Sequence, residues 1–197
     1  MPKHVDHEER RQTIASATWK VIAENGAEAA TVRTIAEAAG LSLGALRYYF
    51  KTQDELIGFT LELVKERVQQ RIQRILEQQL PPEESTLRIL LEMIPHNEET
   101  YQEMSVWFQF MNGVRQRKFS PESDDMLQGI TLMMTQLEQH GLLKKELDME
   151  VEIERLRALV DGLALHAMLT PEKYTEGKLT RILKTHLNEI FATSKAD

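Results

Sequence analysis

Residues 39–56 read AGLSLGALRYYFKTQDEL, and Arg47, Tyr48, Tyr49 and Lys51 crowd two cations and two phenolic hydroxyls into one short stretch. On a projecting surface such groups donate to phosphate oxygens. Tyr49 lies nearer the inner face by helical spacing, so it is the more readily buried of the two rings. Other chemistry-bearing residue types give little. The chain has no cysteine, which removes thiol nucleophiles, thiolate zinc sites, iron–sulfur clusters and a disulfide framework. Neither an H-E-x-x-H pair nor a phosphate-binding glycine loop occurs. His4 and His7 stand three apart beside the terminus, and His166 and His186 fall on separate helical segments, where packing or hydrogen bonding suits them better than catalysis. No catalytic residue, metal site or cofactor is expected, and the chain is read as a non-enzyme.

For Arg47 and its neighbours to project, the elements around them must turn sharply. The periodicity is helical. IASATWKVIAENG places Ile14, Ala17, Val21 and Ile22 on one side and stops at Gly26. TVRTIAEAAG offers Thr31 as N-cap, sets Val32, Ile35, Ala36 and Ala39 at i, i+3, i+4 and i+7, and closes at Gly40. Gly40 suits the left-handed residue after a helix and Ser42 the N-cap of the next, which leaves a turn of about three residues. Leu41 and Leu46 have the spacing of a hydrophobic staple, and Leu46 and Phe50 share the inner face. Leu43, Gly44, Ala45, Arg47 and Tyr48 are thereby turned outwards, and small residues in the first turn let such a helix enter a DNA groove. Thr52 and Glu55 have the T-x-x-E spacing of a capping box, so the short helix ends because another begins. The pattern is a helix-turn-helix. A bare pattern of this kind is more often two helices packed in a bundle; the donors on the outer face favour a nucleic-acid surface.

The first 57 residues resemble the TetR family of bacterial transcriptional regulators, through RRQTIASATWKVIAENG and then ATVRTIAEAAGLSLGALRYYFKTQDELI. The family pattern runs from a first helix ending near Asn-Gly, through T-v-r-x-I-A-x-x-A-G-v-S-x-g-x-l-y-x-y-F, to a K-x-K-x-x-L exit. Departures are Arg47 where tyrosine is frequent, Tyr49 where histidine is common and Gln53 where lysine is common. The resemblance implies that Thr31 and Arg33 touch phosphate or a base edge, and that Ser42, Leu43, Gly44 and Ala45 head the helix against the major-groove floor. It implies that Arg47, Tyr48, Tyr49 and Lys51 hold the backbone. Only Arg33 and Arg47 have the reach for bidentate guanine recognition, so thymine methyls and DNA shape carry much of the expected specificity.

Charge opposes this reading at first sight, because the whole chain carries −7 and a polyanion repels such a protein. Residues 1–55 hold seven Lys or Arg against eight Asp or Glu, so the other residues account for −6. Affinity for DNA must therefore come from local placement of the cations in the turn and the short helix.

The expected fold is all-α, with a three-helix DNA-binding domain over residues 1–53 and a larger helical ligand-binding and dimerisation domain over 54–197. Leu61, Val64, Val68, Ile72 and Ile75 form the spine of a connecting helix that breaks at Pro81 and Pro82. Further helices are expected before Pro95, over residues 98–117, before Gly141, before Pro171 and near the C-terminus. Met93, Met104, Trp107, Phe108, Phe110, Met111, Met133 and Met134 are the adaptable apolar types that line ligand pockets. On residue types alone a filled helical core is the better reading, and it is the family resemblance that implies an inducer site here. Trp107 with Glu98, Glu99 or Glu103 suits a cationic ligand.

The segment ALVDGLALHAML resembles the C-terminal region of the BetI-like branch of the family. With the last helix it implies a four-helix dimer interface using Leu159, Gly162, Leu163, His166, Leu183, His186, Leu187 and Ile190, against the alternative of an intrachain core. The expected function is a repressor that binds a palindromic double-stranded DNA operator as a homodimer and lets go on binding an unknown small-molecule effector. Its rival is an all-helical small-molecule binding protein or enzyme whose N-terminal helices only pack. No apolar run approaches the roughly 18 residues of a membrane span and the N-terminus lacks a signal-peptide core, so no membrane partner and a cytoplasmic location are expected.

Overall fold

The computed structural model describes residues 7–26, 29–114 and 124–192, with the backbone alone for Ala23, Phe110 and residues 112–114. Its described residues form nine α-helices, one 3-10 turn and no β-sheet, in agreement with the all-α expectation. In chain order these are α1 (His7–Asn25), α2 (Val32–Ala38), α3 (Leu43–Tyr49), α4 (Gln53–Glu77), α5 (Pro82–Glu92), α6 (Glu98–Val114), α7 (Asp125–Gln139), α8 (Met149–Leu169) and α9 (Glu176–Ile190). They gather into two compact units. One holds α1, α2, α3, α4 as far as Gln69 and α6 from Gln102; the other holds the remainder of α4 and α6 with α5, α7, α8 and α9.

In the first unit α1 buries Ile14, Ala15, Thr18, Val21 and Ile22, a helical stripe that leaves Ala17 only half-covered. Ile14, Val21 and Ile22 pack in one cluster with Ile35 of α2, Leu46 of α3, Phe50, Leu56, Leu61 and Val64 of α4, and Val106 of α6. The buried hydroxyls of Thr18 and Thr60 donate to the carbonyls of Ile14 and Leu56, so neither is left unpaired. Long cations stack at the cluster edge. The Arg11 guanidinium lies 4.7 Å from the Phe50 ring centre and 4.5 Å from that of Phe59, and Arg67 lies 4.4 Å over Trp19. Trp19 Nε1 donates to Oε1 of Gln102 at 2.9 Å, which ties α1 to α6.

The second unit is built on Leu87, Leu90, Ile94, Ile130, Met134, Leu156, Val160, Leu179, Leu183 and Leu187. Pro82 opens α5 as its first helical residue, where the missing N–H removes no helical bond. Asp124 caps α7 by accepting the Leu127 N–H at 3.0 Å, and its other carboxylate oxygen pairs with Arg157 of α8. Arg71 in α4 reaches Glu92 of α5 at 2.6 Å and Glu99 of α6 at 3.5 Å. Gly141, at φ +68, ends α7 with the Leu142 N–H bonded back to the Leu137 carbonyl. Residues 142–144 then pair antiparallel with the end of α9, through Lys144 N–H to Ile190 O and Ala192 N–H to Leu142 O.

Candidate nucleic-acid interface

Two caps and a tight turn fix the direction of α3. At the start of α2, Thr31 Oγ1 accepts the Thr34 N–H at 3.2 Å while Thr34 Oγ1 accepts the Thr31 N–H at 3.0 Å. This reciprocal pair satisfies two N–H groups that the helix itself cannot. At the other end Leu41 N–H bonds to Ala36 O at 2.8 Å and Gly40 N–H to Glu37 O at 3.1 Å, with Gly40 at φ +65. Only glycine takes that left-handed step without a steric cost. Ser42 Oγ then accepts the Ala45 N–H at 3.1 Å and starts α3.

The exit differs in one detail from its expected form. Thr52 Oγ1 accepts the Glu55 N–H at 3.1 Å, as a capping box requires, but the Glu55 carboxylate accepts from the Lys51 N–H at 2.9 Å, one residue earlier than Thr52. Phe50 leaves α3 in extended conformation, at φ −134 and ψ 115. That extension turns the Lys51 amide towards the carboxylate, so the box closes around two residues. Gln53, where the family often has lysine, uses its Nε2 to hold the Ala30 carbonyl at 2.8 Å and fastens the start of α4 to the approach of α2.

The outward face of α3 is as expected from its spacing. Leu46 is buried, Leu43 is 41 % exposed and Tyr48 74 % exposed, and Gly44, Arg47 and Lys51 are also exposed. Ala45 is half-buried. Tyr49 packs against the core cluster and meets Tyr48 edge-on at 5.2 Å between ring centres. Thr31 and Ser42 are exposed but spend their hydroxyls on caps. Arg33 pairs with Glu37 at 3.5 Å while both stay largely in solvent; such a pair contributes little and yields its cation to a phosphate at small cost.

Residues 40–44, GLSLG, also spell G-x-S-x-G. A nucleophile elbow needs a strand feeding the turn, whereas here the serine lies between two helices with its oxygen engaged as a cap. The sequence assigned His7 nothing beyond an improbable metal pair, and His4 lies outside the described residues. The structure sets the His7 ring 4.9 Å from that of Tyr49 and 6.0 Å from that of Tyr48. A contact across 40 residues leaves no local signal in the sequence.

The remaining candidate residues fall in different places. Met104, Trp107, Phe108 and Met111 belong to the first unit, where Trp107 packs against the core and meets Phe108 edge-on at 5.2 Å; Met93 and Met133 pack against the core of the second. The Phe110 side chain lies outside the described residues. Of the eight residues expected to meet a partner copy, Leu163, Leu183, His186, Leu187 and Ile190 are buried within the single chain. Leu163, Leu183, Leu187 and Ile190 pack in the core of the second unit. Leu159 and Gly162 are partly open and His166 is exposed. The large apolar residues that α8 does leave in solvent are Val151, Leu165 and Leu169. His166 stacks on Tyr174, with centres 5.5 Å apart.

Three groups in the second unit have displaced pKa values, the Arg155 guanidinium being pushed up by its hydrogen bonds to Glu189 and Glu152. Burial pushes the His186 imidazole down, Arg155 adds to the effect, and Glu152 and Glu189 oppose it. Its Nε2 is buried without a hydrogen-bond partner among the described residues. Burial pushes the Asp161 carboxyl up, against the pull of the Arg157 guanidinium.

A helix-turn-helix with a cationic, phenolic outer face defines a DNA-binding protein of the one-component regulator class, and comparison with known proteins makes the class specific. Residues 14–58 match the bacterial regulatory proteins of the tetR family, and residues 82–192 match the C-terminal domain of the BetI-type transcriptional repressors. The HTH-type transcriptional regulator PksA of Bacillus subtilis (strain 168) is 50 % identical over 192 residues, covering 96 % of this chain and 94 % of that protein. A crystal structure of a transcriptional regulator from Rhodococcus sp. Rha1 superposes with a TM-score of 0.74 at 26 % identity, covering 91 % of this chain and 95 % of the other. A regulator from Saccharomonospora viridis, solved in complex with choline, shares the fold with a TM-score of 0.68 at 21 % identity, covering 94 % and 99 %. The chain belongs to the TetR family of bacterial transcriptional regulators, with a BetI-type C-terminal region. It is a regulator and not an enzyme. Among the described residues no helix is long and apolar enough to cross a membrane.

Proposed function

We propose that the protein is a cytoplasmic repressor that binds a palindromic operator as a homodimer and is released by a small-molecule inducer. Residues 1–53 act as its DNA-binding domain and 54–197 as its ligand-binding and dimerisation domain. The observation that supports this most is the outer face of α3, where Arg47, Tyr48 and Lys51 stand exposed beside Leu43 and Gly44 on a helix capped by Ser42. Leu43, Gly44 and Ala45 then meet the groove floor, and Arg47, Tyr48, Tyr49 and Lys51 the backbone, with Thr31 and Arg33 at the head of α2. One helix of two turns reads too few base pairs to be selective, and two-fold pairing doubles them.

The partner copy meets what α8 leaves open. Ala158, Gly162, Leu165 and Leu169 recur at helical spacing and are exposed or half-exposed, with Leu159 and His166 beside them. For the inducer, the candidate lining within the first unit is Met104, Trp107, Phe108 and Met111. The Saccharomonospora viridis protein was solved with choline, a small organic cation. Trp107, with the buried carboxylate of Glu103 one turn earlier on α6, is the pair in this chain that suits such a charge.

The variants Arg47→Ala and Tyr48→Ala test the reading. Both side chains are exposed, so the fold is expected to survive while binding to a duplex selected by the full-length protein from a random library falls at least tenfold. Unchanged DNA binding in both variants would remove α3 from the interface.

A further inference from the structure

We propose that Arg11 is a positioning residue for DNA binding: its guanidinium, laid on the rings of Phe50 and Phe59, fixes the C-terminal end of α3 and with it the direction in which Arg47 and Tyr48 meet the duplex. The inference rests on the reading of α3 given above. Arg11 lies on α1, Phe50 is the residue at which α3 ends, and Phe59 stands in the second turn of α4. The guanidinium carbon is 4.7 Å from the centre of the Phe50 ring and 4.5 Å from that of Phe59, and the two rings are 5.4 Å apart at 51°. One group of α1 therefore touches both sides of the chain reversal between α3 and α4. His7 stands one turn before Arg11 on the same face of α1 and meets Tyr49 at 4.9 Å, so two successive turns of α1 contact two successive residues at the end of α3.

Apolar packing alone fixes this corner poorly. Phe50 is buried in the core cluster, but burial is non-directional and several placements of a ring satisfy it. A cation over the face of a ring is directional, and a planar guanidinium shared by two rings ties the placement of one to that of the other. The arrangement does not serve stability. Arg11 Nε is buried with no hydrogen-bond partner among the described residues, which costs the folded chain, and methionine would fill the same space without that cost. Only Lys51 and Thr52 separate Phe50 from α4, and α3 has seven residues, so a tilt at Phe50 moves Arg47 and Tyr48, both within one turn of it. With its Nε buried and its carbon stacked, Arg11 is committed to the rings, which favours positioning over a phosphate contact of its own.

The experiment uses full-length protein and a duplex it selects from a random library, with anisotropy measured over a salt series and urea unfolding of each variant at fixed protein concentration. Arg11→Met should keep the wild-type urea midpoint or raise it, and bind the duplex about tenfold more weakly with an unchanged slope of log K against log salt, since no phosphate contact is lost. Phe59→Leu, which alters neither α1 nor α3, should weaken binding at the same slope. The double variant should bind no more weakly than Arg11→Met alone, because both changes remove one shared contact. Arg11→Lys keeps the charge without the flat group and should bind like Arg11→Met. A slope shallower by about 2 in Arg11→Met, one contact for each half of a dimer, would make Arg11 a phosphate ligand and overturn the inference while the regulator reading stands. Losses that add in the double variant, or wild-type affinity in Arg11→Met, would overturn it as well. If wild-type protein selects no duplex at all, the reading of α3 falls and the inference with it.

Discussion

Ser42 Oγ accepts the Ala45 N–H at 3.1 Å two residues after Gly40 takes φ +65, so the stop of one helix and the start of the next are fixed by adjacent local devices. The pair sets the direction in which Arg47 and Tyr48 point. Loss of the Ser42 cap is expected to cost about 1 kcal/mol, and Gly40→Ala about 1 kcal/mol through its left-handed backbone. No atom lies within 4 Å of a Cβ built at Gly40, so the second cost is conformational and not a clash. Urea unfolding of Ser42→Ala and Gly40→Ala at fixed protein concentration measures both, and values below about 0.3 kcal/mol would show that the turn is held by packing alone.

His186 makes stability depend on pH. Its pKa is held down in the folded chain by burial, with Arg155 adding to the effect, so the unfolded chain takes up the proton first. The stabilisation is complete above the ordinary imidazole range, near pH 6.5, and is lost as pH falls from there through the folded value. Melting temperatures of wild type and His186→Gln between pH 8 and pH 5.5 should therefore converge as the medium becomes acidic. A constant gap would mean that the ring stays unprotonated in both states or loses its burial.

Gly162 offers a test of the partner surface. A Cβ at this position meets no atom of its own chain within 4 Å, so alanine should strengthen α8 by up to about 1 kcal/mol in an isolated protomer. If a second copy packs closely here, the same methyl holds the two apart. Sedimentation equilibrium of Gly162→Ala is expected to show dimer dissociation at least fivefold easier than in wild type. Equal or tighter association would move the interface off this face of α8.

How much of this was legible in the sequence depended on the range of the interaction. Thr31, Gly40, Ser42 and Thr52 act within four residues of themselves, and their types at those spacings gave the turn, the caps and the outward face of α3. Glu55 was legible as a cap but not as the acceptor for Lys51, because that depends on the extended exit at Phe50. Leu163, Leu183, Leu187 and Ile190 were expected at a partner interface, and within the single chain they are buried in the core of the second unit. An apolar helical stripe carries no mark of whether its cover comes from the same chain or another. The contact of His7 with the two tyrosines was illegible because these neighbours lie 41 and 42 residues away. The methionines and aromatics grouped by type fall into two units, since composition does not report which helices pack together.

The central claim is that exposed cations on and beside α3 hold an operator, and the salt dependence of binding tests it most directly. A dimer presenting Arg33, Arg47 and Lys51 from each protomer should bind its selected duplex tighter than about 100 nM near physiological salt, with a slope of log K against log salt of about −5. A scrambled duplex should bind at least a hundredfold more weakly. Equal binding to both duplexes, or a slope shallower than about −2, would contradict the account and return α2 and α3 to the role of packed helices.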